Sequence, residues 1–478
     1  MDHIVFNYFK EISDIPRGSG NCRKISDYLV NFAKEHQLFY VQDEAQNVII
    51  KKPASEGYET CPAIILQGHM DMVCEKKPDV QHDFLTEGIT LMTENDNLYA
   101  DGTTLGGDNG IALAYALSIL SEDKIVHPPL EVIFTTDEET GLLGAAALDT
   151  SCLSAKYMIN LDSEEEDTLL VSCAGGLRAD CKIPLTYEKV EGKKITITIK
   201  GLLGGHSGSE IDKNRINASV LLARLLYDLK KFSFRTISMS GGLLDNAIPR
   251  EATAEIVTRE EDVYGVINEI KFIIEKYKNE CRINEPDLIA AVNQGEEKSY
   301  GVMTKESYNK VIFFLLNAPN GIQTMSPNMK GLVESSLNLG IFITNEETAR
   351  MSYSVRSSLS SYKNFLSDKL EFLTKTLGGT YGTSGDYPGW EYKKESRLRS
   401  IYMNAYKEVV GNEIKMESIH AGLECGILAE KLGNLDIISV GPNMQDIHTT
   451  EEKLSISSTK RVYDVILETL RTFCTMMK

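Results

Sequence analysis

The chain has 478 residues, of which 42% are hydrophobic and 25% are charged, a composition typical of a folded globular protein. Its 50 basic and 69 acidic residues give a formal net charge of -19, which argues against nucleic acid or an anionic membrane surface as a partner. A chain of this length can bury a large core and is expected to form two domains.

Nine cysteines are spread along the chain, an odd number with no C-x-x-C spacing. This pattern argues against a disulfide framework or a zinc finger, so we expect reduced thiols. The N-terminal stretch has acidic residues where a signal peptide is basic, and it predicts a short amphipathic helix that ends near Pro16. No segment has the apolar length of a transmembrane helix. We therefore expect a cytoplasmic protein.

The first third of the chain alternates strand and helix patterns. Short apolar runs predict buried strands at Ala63–Gln67, Leu130–Thr135 and Tyr157–Leu161, and Gly110–Leu120 predicts a helix. Strands separated by helices indicate an α/β architecture with a mixed, mostly parallel sheet flanked by helices. In such sheets ligands bind beyond the carboxyl ends of the strands. The polar residues that follow these strands are therefore candidates for a functional site.

The pattern changes near residue 187 and returns near residue 389. Lys194–Lys200 alternates strictly, as in a sheet with one solvated face. Two similar strand–helix units follow, with helices predicted at Asn217–Lys230 and Ser361–Leu377, and a helix is predicted later at His420–Leu432. We therefore predict one domain built from residues 1–186 and 389–478, into which an α+β domain, residues 187–388, is inserted.

Six acidic or imidazole residues are placed where chemistry is expected, after predicted strands or at a helix start. Two neutral imidazoles and three carboxylates can hold a pair of zinc-like cations, which leaves one carboxylate as a base. This combination of side chains is typical of a two-metal hydrolase. The six residues are His69, Asp108, Glu138, Glu139, Asp162 and His448.

Each motif taken singly has a simpler interpretation. Asp108 in GGDNG could cap a helix N-terminus, and Glu138 with Glu139 could form a solvated acidic turn. Asp71 follows His69 by two positions on a strand, so it can accept the second ring N–H, although an exposed H-x-D is the alternative. The interpretation as a metal site depends on all five motifs occurring together in this order.

The series GHMD, DGTTLGGDNG, TTDEETG, NLDSEE and HTTEE, with GGHSG between, closely resembles the bacterial aminoacyl-histidine dipeptidases. These belong to a dizinc family that includes carboxypeptidase G and acetylornithine deacetylase. The resemblance extends from IPRGSGN to HTTEEKL and so covers nearly the whole chain. It implies a phosphorylase/hydrolase-like zinc exopeptidase fold with an inserted α+β lid domain. It also implies two Zn²⁺ ions, for which Mn²⁺ or Co²⁺ could substitute.

The resemblance also implies a role for each candidate residue in the first domain. One metal would be bound by His69 and Asp162, and the other by Glu139 and His448. Asp108 would bridge the two metals, with a cis peptide to Asn109. Glu138 would be the general base that activates the bridging water, and Asp71 would orient His69.

The inserted domain is expected to supply the remaining site residues. His206 in GGHSG would stabilise the oxyanion of the scissile carbonyl, although a histidine in a glycine-flanked turn is the alternative. Asn246 and Arg356 would hold the carboxylate end of the substrate, since the arginine fork matches a carboxylate, although Arg356 could equally be a surface residue. Gly422 in HAGLECG would make a backbone contact with the substrate.

These roles imply metal-dependent hydrolysis of short unblocked dipeptides, with Xaa-His peptides such as carnosine as the type case. The histidine preference follows from the family name alone. The alternatives are a tripeptidase or an N-acyl amino acid deacylase of the same fold, and a metal-binding or peptide-binding protein without catalysis. The presence of Glu138 argues against the last. We expect a dipeptide as the partner, no nucleic acid, no membrane, and a monomer or homodimer.

Overall fold

A computed structural model describes residues 3–477 of the chain. The helices found among these residues are α1 (Ile4–Ser13), α2 (Arg23–Glu35), α3 (Gly107–Ser121), α4 (Leu143–Ala147), α5 (Ala218–Asp228), α6 (Val263–Cys281), α7 (Lys305–Asn317), α8 (Ser360–Thr376), α9 (Arg397–Val410), α10 (Glu424–Leu432) and α11 (Ile456–Met477). The strands are β1 (Phe39–Gln42), β2 (Val48–Lys52), β3 (Ile64–His69), β4 (Leu91–Glu94), β5 (Asn97–Ala100), β6 (Leu130–Thr135), β7 (Tyr157–Asn160), β8 (Thr168–Cys173), β9 (Gly175–Pro184), β10 (Tyr187–Lys200), β11 (Gly205–His206), β12 (Phe234–Gly241), β13 (Ala247–Ile248), β14 (Ala252–Thr258), β15 (Ile289–Met303), β16 (Gly321–Met325), β17 (Val333–Thr344), β18 (Thr348–Ser357), β19 (Thr380–Tyr387), β20 (Lys415–Ile419), β21 (Asp436–Ser439), β22 (Met444–Gln445) and β23 (Lys453–Ser455).

The chain divides into two compact units. The first comprises the described residues up to Cys173, then Trp390–Ser418 and those from Leu423 onwards, and the second comprises Ala174–Gly389 and Ile419–Gly422. The second unit begins thirteen residues before the predicted boundary at 186/187. The reason is that β9 pairs along its whole length with β18, a strand of the second unit's sheet.

The first unit is built on an eight-stranded sheet in the order β1-β2-β6-β3-β7-β21-β8-β20. Its four central strands, β6, β3, β7 and β21, are parallel to one another, and β2 pairs antiparallel with β6. Strands β3 and β6 are buried at every residue, as the continuous apolar runs predict for strands covered on both faces. The mixed sheet, with α3 against β3 and α9 against β21, confirms the predicted fold class.

The second unit has a large antiparallel sheet in the order β15-β10-β14-β12-β17-β18-β9-β19, with β16 also paired to β17. Helix α5 packs on β10 and β14, and α8 packs on β9, β18 and β19. One half of this sheet consists of β15, β10, β14 and β12, and the other half of β17, β18, β9 and β19. The two halves meet where β12 pairs with β17. The core between sheet and helices is aliphatic, with Ile195, Ile197 and Ile199 of β10 fully buried on one face. The strict alternation of Lys194–Lys200 therefore arises because one face of β10 is buried.

One predicted helix is too long at its start. The sequence pattern predicts a helix over His420–Leu432, but α10 begins only at Glu424, and Leu423 before it has an extended backbone with φ -139 and ψ 152. Ile419–Gly422 belong instead to the second unit, where His420 Nε2 lies 2.7 Å from Ser336 Oγ. This tertiary contact outweighs the helical pattern of the segment.

The prediction that all cysteines are reduced is wrong for one pair. The structure joins Cys61 to Cys474 in a disulfide with a Cα–Cα distance of 5.6 Å, while the other seven cysteines are free. The bond ties the segment before β3 to helix α11 across a sequence separation of 413 residues. Counting cysteines and their local spacings could not reveal a pair so far apart in sequence.

The disulfide predicts a measurable thiol count. In protein purified without reductant and then denatured, we expect titration with a thiol reagent to find seven thiols per chain, rising to nine after reduction. A Cys61→Ser variant should show eight thiols under both conditions, since Cys474 then has no partner. Nine thiols in air-oxidised wild-type protein would contradict the bond.

Among residues 3–477, none of the helices combines the length and the apolar character that a membrane crossing requires.

Candidate metal centre

The carboxyl ends of neighbouring parallel strands bring the first candidate ligands together. His69 is the last residue of β3 and is in register with Thr135 at the end of β6. Asp162 follows the end of β7 by two residues. The His69 side chain is 1% exposed, and its Nε2 lies 3.6 Å from Asp162 Oδ1. The parallel register thus places an imidazole and a carboxylate from adjacent strands beside each other.

Asp108 lies between two imidazoles and faces each with a different oxygen. Its Oδ1 is 3.0 Å from His69 Nε2, and its Oδ2 is 3.0 Å from His448 Nε2. The same nitrogen of His448 is 2.9 Å from Glu139 Oε1. The peptide between Asp108 and Asn109 is cis, as the resemblance implies. One oxygen toward each imidazole is the orientation that a carboxylate needs to bridge two cations.

Asp71 holds the turn that carries the two glutamates. Its Oδ1 accepts the backbone N–H of Glu138 at 3.0 Å, and its Oδ2 accepts that of Glu139 at 3.3 Å. Ser19 Oγ also donates to Oδ2, at 2.8 Å. Asp71 Oδ1 lies 3.3 Å from His69 Nδ1, the position that sequence analysis expects. Asp71 therefore holds the glutamate turn through two backbone N–H groups and also lies beside the His69 ring, and the former contact is not visible in the sequence.

Among the residues that the structure describes, three groups of side chains offer ligand atoms that lie within 4.8 Å of one another. Two of these groups share Asp108 and coincide with the sets expected for the two cations, while the third places Glu138 beside His69. Imidazole nitrogen and carboxylate oxygen are the ligands that Zn²⁺ takes in hydrolases, and they also suit Mn²⁺ and Co²⁺. The residues fit a dinuclear centre by donor type and proximity. The groups are His69–Asp108–Asp162, Asp108–Glu139–His448 and His69–Glu138–Glu139.

The crowded charges shift the pKa values of the ligands. Burial raises the pKa of Asp162 and of Glu139. Burial would also raise the pKa of Asp108, but hydrogen bonds to His448 and His69 hold it well below its usual range. The bonds to Asp108 and Glu139 raise the pKa of His448 to about 10. Positive charge beside these carboxylates therefore stabilises their ionised forms, which is the electrostatic role that cations take in a metal site.

Glu138 is buried among charged side chains that change its pKa. Burial raises its pKa well above the ordinary value; the nearby imidazole of His69 opposes this shift, and the carboxylates of Asp162 and Glu424 add to it. A carboxyl group tuned in this way can accept a proton and release it again during one reaction cycle.

The imidazole of His206, in the second unit, is held in one tautomer by the backbone. Its Nδ1 accepts the N–H groups of Gly208 at 3.3 Å and of Ser209 at 3.1 Å. Burial, followed by the nearby positive charge of Arg356, lowers the pKa of His206. A neutral ring whose Nδ1 accepts hydrogen bonds carries its hydrogen on Nε2. His206 Nε2 is therefore a hydrogen-bond donor.

Asn246 and Arg356, two other predicted residues of the second unit, are close to His206. The Ser207 N–H donates to the carbonyl oxygen of Asn246 at 2.8 Å, and this bond accompanies the pairing of β11 with β13. A Cβ added to Gly208 would lie 3.0 Å from the His206 ring and 3.3 Å from the guanidinium carbon of Arg356. The glycine therefore lets the imidazole and the guanidinium lie next to each other.

Tyr387 connects the last two predicted residues of this unit. Arg356 Nη1 donates to the Tyr387 hydroxyl at 3.4 Å, and a Cβ on Gly422 would lie 2.8 Å from the Tyr387 ring. The backbone at Gly422 thus approaches the same side chain that Arg356 contacts. The second unit gathers His206, Asn246, Arg356 and Gly422 in one neighbourhood.

A buried acid that contacts the ends of β3 and β6 was not predicted from the sequence. Glu424 is fully buried, and its Oε2 accepts hydrogen bonds from Thr135 Oγ1 at 2.6 Å and from Gln67 Nε2 at 2.5 Å. Gln67 precedes His69 by two residues on β3, and Thr135 ends β6. Burial raises the pKa of Glu424 to about 7. The motif HAGLECG contains this residue, but a glutamate at a helix start carries no signal that it will be buried.

The burial of two further charged residues, Arg17 in IPRGSGN and Glu452 in HTTEE, was not predicted from the sequence. Arg17 is 2% exposed and Glu452 is 3% exposed. Both contact the turn that carries Asp108.

Comparisons with known proteins find similar sequences and structures that span nearly the whole chain. A model of Peptidase family M20/M25/M40 matches residues 65–472. The cytosol non-specific dipeptidase of Escherichia coli (strain K12) is 34% identical over 471 residues, covering 98% of this chain and 97% of that protein. The aminoacylhistidine dipeptidase of Vibrio alginolyticus has a crystal structure that is similar with a TM-score of 0.93 at 32% identity, over 98% of this chain and 96% of that one. A tripeptidase of Staphylococcus aureus, 17% identical with a TM-score of 0.55 over 99% of this chain and 98% of that one, shares the fold alone.

Proposed function

Because the chain belongs to peptidase family M20/M25/M40, we propose that it hydrolyses short unblocked dipeptides with the help of two divalent cations. The observation that carries the proposal is the carboxylate of Asp108, whose two oxygens each lie 3.0 Å from a different histidine. The two histidines, His69 and His448, come from opposite ends of the sequence, so folding alone assembles the site. The names of the Escherichia coli and Vibrio alginolyticus relatives support the dipeptide substrate.

We assign the ligands as two sets that share one residue. His69 and Asp162 hold one cation, Glu139 and His448 hold the other, and Asp108 belongs to both. We propose zinc as the metal, and manganese or cobalt suits the same donors. When bound, two such cations lower the pKa of a water molecule and polarise the carbonyl group of the substrate.

Glu138 is the proposed general base and then the general acid. Its carboxylate takes a proton from the attacking water and later gives that proton to the nitrogen of the leaving amine, so it ends the cycle as it began. The raised pKa of Glu138 suits both transfers. The hydrogen bond from its backbone N–H to Asp71 fixes the position from which it acts.

The residues of the second unit are proposed to recognise the substrate. His206 donates from Nε2 to the carbonyl oxygen as negative charge develops there, and its fixed neutral tautomer supplies that donor without a proton transfer. Arg356 and Asn246 bind the terminal carboxylate, to which a guanidinium offers paired donors, and the backbone of Gly422 contacts the substrate.

A panel of substrates tests this function against its rivals. We expect Ala-His and carnosine to have the highest kcat/KM, with N-acetyl amino acids lower by about 10²-fold or more, since a site built for polar substrate ends rejects analogues that lack them. Chelator-treated protein should be inactive and should recover on adding Zn²⁺, Mn²⁺ or Co²⁺. Faster hydrolysis of tripeptides or of N-acetyl amino acids would favour the tripeptidase or the deacylase. Failure to cleave any of these substrates would favour a binding protein.

We propose that the protein works in the cytoplasm on free dipeptides, without nucleic acid or membrane. The cytosolic designation of the Escherichia coli relative and the net charge of -19 support this location and these partners. A reducing compartment disfavours disulfides, so the Cys61–Cys474 bond of the structure describes the oxidised chain. Light scattering of the purified chain will distinguish the expected monomer from the expected homodimer.

A further inference from the structure

The turn that carries Asp108 is held by one buried carboxylate from a distant segment. Glu452 Oε2 accepts the backbone N–H groups of Leu105 at 2.8 Å and Gly106 at 3.0 Å. Its Oε1 accepts those of Gly107 at 2.8 Å and Asp108 at 3.4 Å. Four consecutive amides thus bond to a single side chain that is 3% exposed. Charge-assisted bonds of this kind, made where water is excluded, are stronger than bonds between neutral groups.

A second buried charge holds the same turn through its carbonyl group. Arg17 Nη2 donates to the carbonyl oxygen of Gly106, and Nη1 donates to those of Met70 and Asp71 at 3.1 Å each. Gly106 has φ 67, and a Cβ there would lie 2.5 Å from Arg17 Nη2. The guanidinium therefore binds the Asp108 turn and the His69–Asp71 turn to each other.

Glu452 also belongs to the segment that carries His448. The two residues are four positions apart in the loop between β22 and β23, where Met444 pairs with Leu454. This loop is internally bonded, since the Glu452 N–H donates to Thr449 O at 3.3 Å and Thr449 Oγ1 donates to Asp446 O at 2.7 Å. These bonds hold the Glu452 backbone in the same tight loop that carries His448.

We infer that Glu452 is a positioning residue that sets the spacing between Asp108 and His448, and so determines how tightly the second cation is bound. The inference rests on the proposed function only through the identity of the ligands. The two oxygens of Glu452 accept the backbone N–H groups of the Asp108 turn, so Glu452 acts on Asp108 through these four amides and on His448 through its own loop. Residues that orient metal ligands typically contribute 10–100-fold to metal affinity.

The test is a Glu452→Gln variant. Its amide oxygen can still accept two of the four N–H groups, but its NH₂ group would face the other two, donor against donor. We expect Zn²⁺ at one of the two sites to be bound about 10–100-fold more weakly in competition with a chelator. Activity at low Zn²⁺ should fall and should recover as Zn²⁺ is raised. The matched control is Glu451→Gln, because the neighbouring Glu451 is exposed and pairs with Lys77 at 2.8 Å.

The outcomes separate this inference from the function on which it rests. The inference would be overturned if the Glu452→Gln protein is folded, as judged by circular dichroism, and binds both Zn²⁺ ions with affinities within twofold of wild type. If that variant does not fold, Glu452→Asp decides in its place: the charge is kept but the reach is one methylene shorter, so wild-type affinity would overturn the inference and a weakened second site supports it. Wild-type protein that binds two ions but cleaves no dipeptide would overturn the proposed function alone, since Zn²⁺ affinity is measured without substrate. Wild-type protein that binds no ion would overturn both.

Discussion

A Glu138→Gln variant is expected to lose about 10²–10⁴-fold in kcat while it still binds two metal ions per chain. Glutamine has the shape of glutamate but cannot take up the proton of the attacking water. The backbone bond from residue 138 to Asp71 does not involve the side chain, so the turn should keep its conformation. Steady-state kinetics on Ala-His, together with metal analysis of the same preparation, measures both expectations.

The matched control for this prediction is Glu165→Gln. Glu165 is an exposed member of the acidic run Glu164–Glu166 and is not one of the candidate site residues. We expect this control to keep the wild-type kcat. The base would have to be sought elsewhere if Glu138→Gln retained more than a tenth of the wild-type kcat, or if it lost its metal ions along with its activity.

A His206→Ala variant is expected to lower kcat by about 10²–10³-fold, with unchanged metal content. The imidazole Nε2 is proposed to donate to the oxyanion, a charge that develops only in the transition state. The loss should therefore fall on kcat rather than on KM. Kinetics over a range of Ala-His concentrations separates the two parameters.

His36→Ala provides the comparison for this second variant, because His36 is an exposed histidine at the end of α2. It should behave as wild type. A His206→Ala protein whose kcat stays within threefold of wild type would remove His206 from the reaction, and a change confined to KM would reassign it to substrate binding.

The sequence predicted that several candidate residues would lie together because these residues follow buried strands. The apolar runs before His69, Glu138 and Asp162 are continuous, and in the structure β3, β6 and β7 lie side by side in parallel register. Parallel strands bring their carboxyl ends to one edge, so the order of the motifs was enough to predict that these side chains meet. The alternation of Lys194–Lys200 likewise identified an antiparallel sheet with one solvated face.

Most of the features that could not be predicted depend on distances between segments that are remote in sequence. In the sequence Glu452 is one more acidic residue in HTTEE, and only the fold shows that it accepts hydrogen bonds from four backbone N–H groups. Cys61 and Cys474 have no telling spacing, yet their Cα atoms come within 5.6 Å. The tautomer of His206 is set by two backbone N–H groups of its own turn, and a sequence motif does not show which ring nitrogen accepts these hydrogen bonds.

The central claim is that two cations share the carboxylate of Asp108. Anomalous diffraction at the zinc absorption edge, from crystals of protein loaded with Zn²⁺, tests it most directly. We predict two peaks, one between Asp108 and His69 with Asp162, the other between Asp108 and His448 with Glu139. A single peak, or zinc held away from Asp108, would contradict the account.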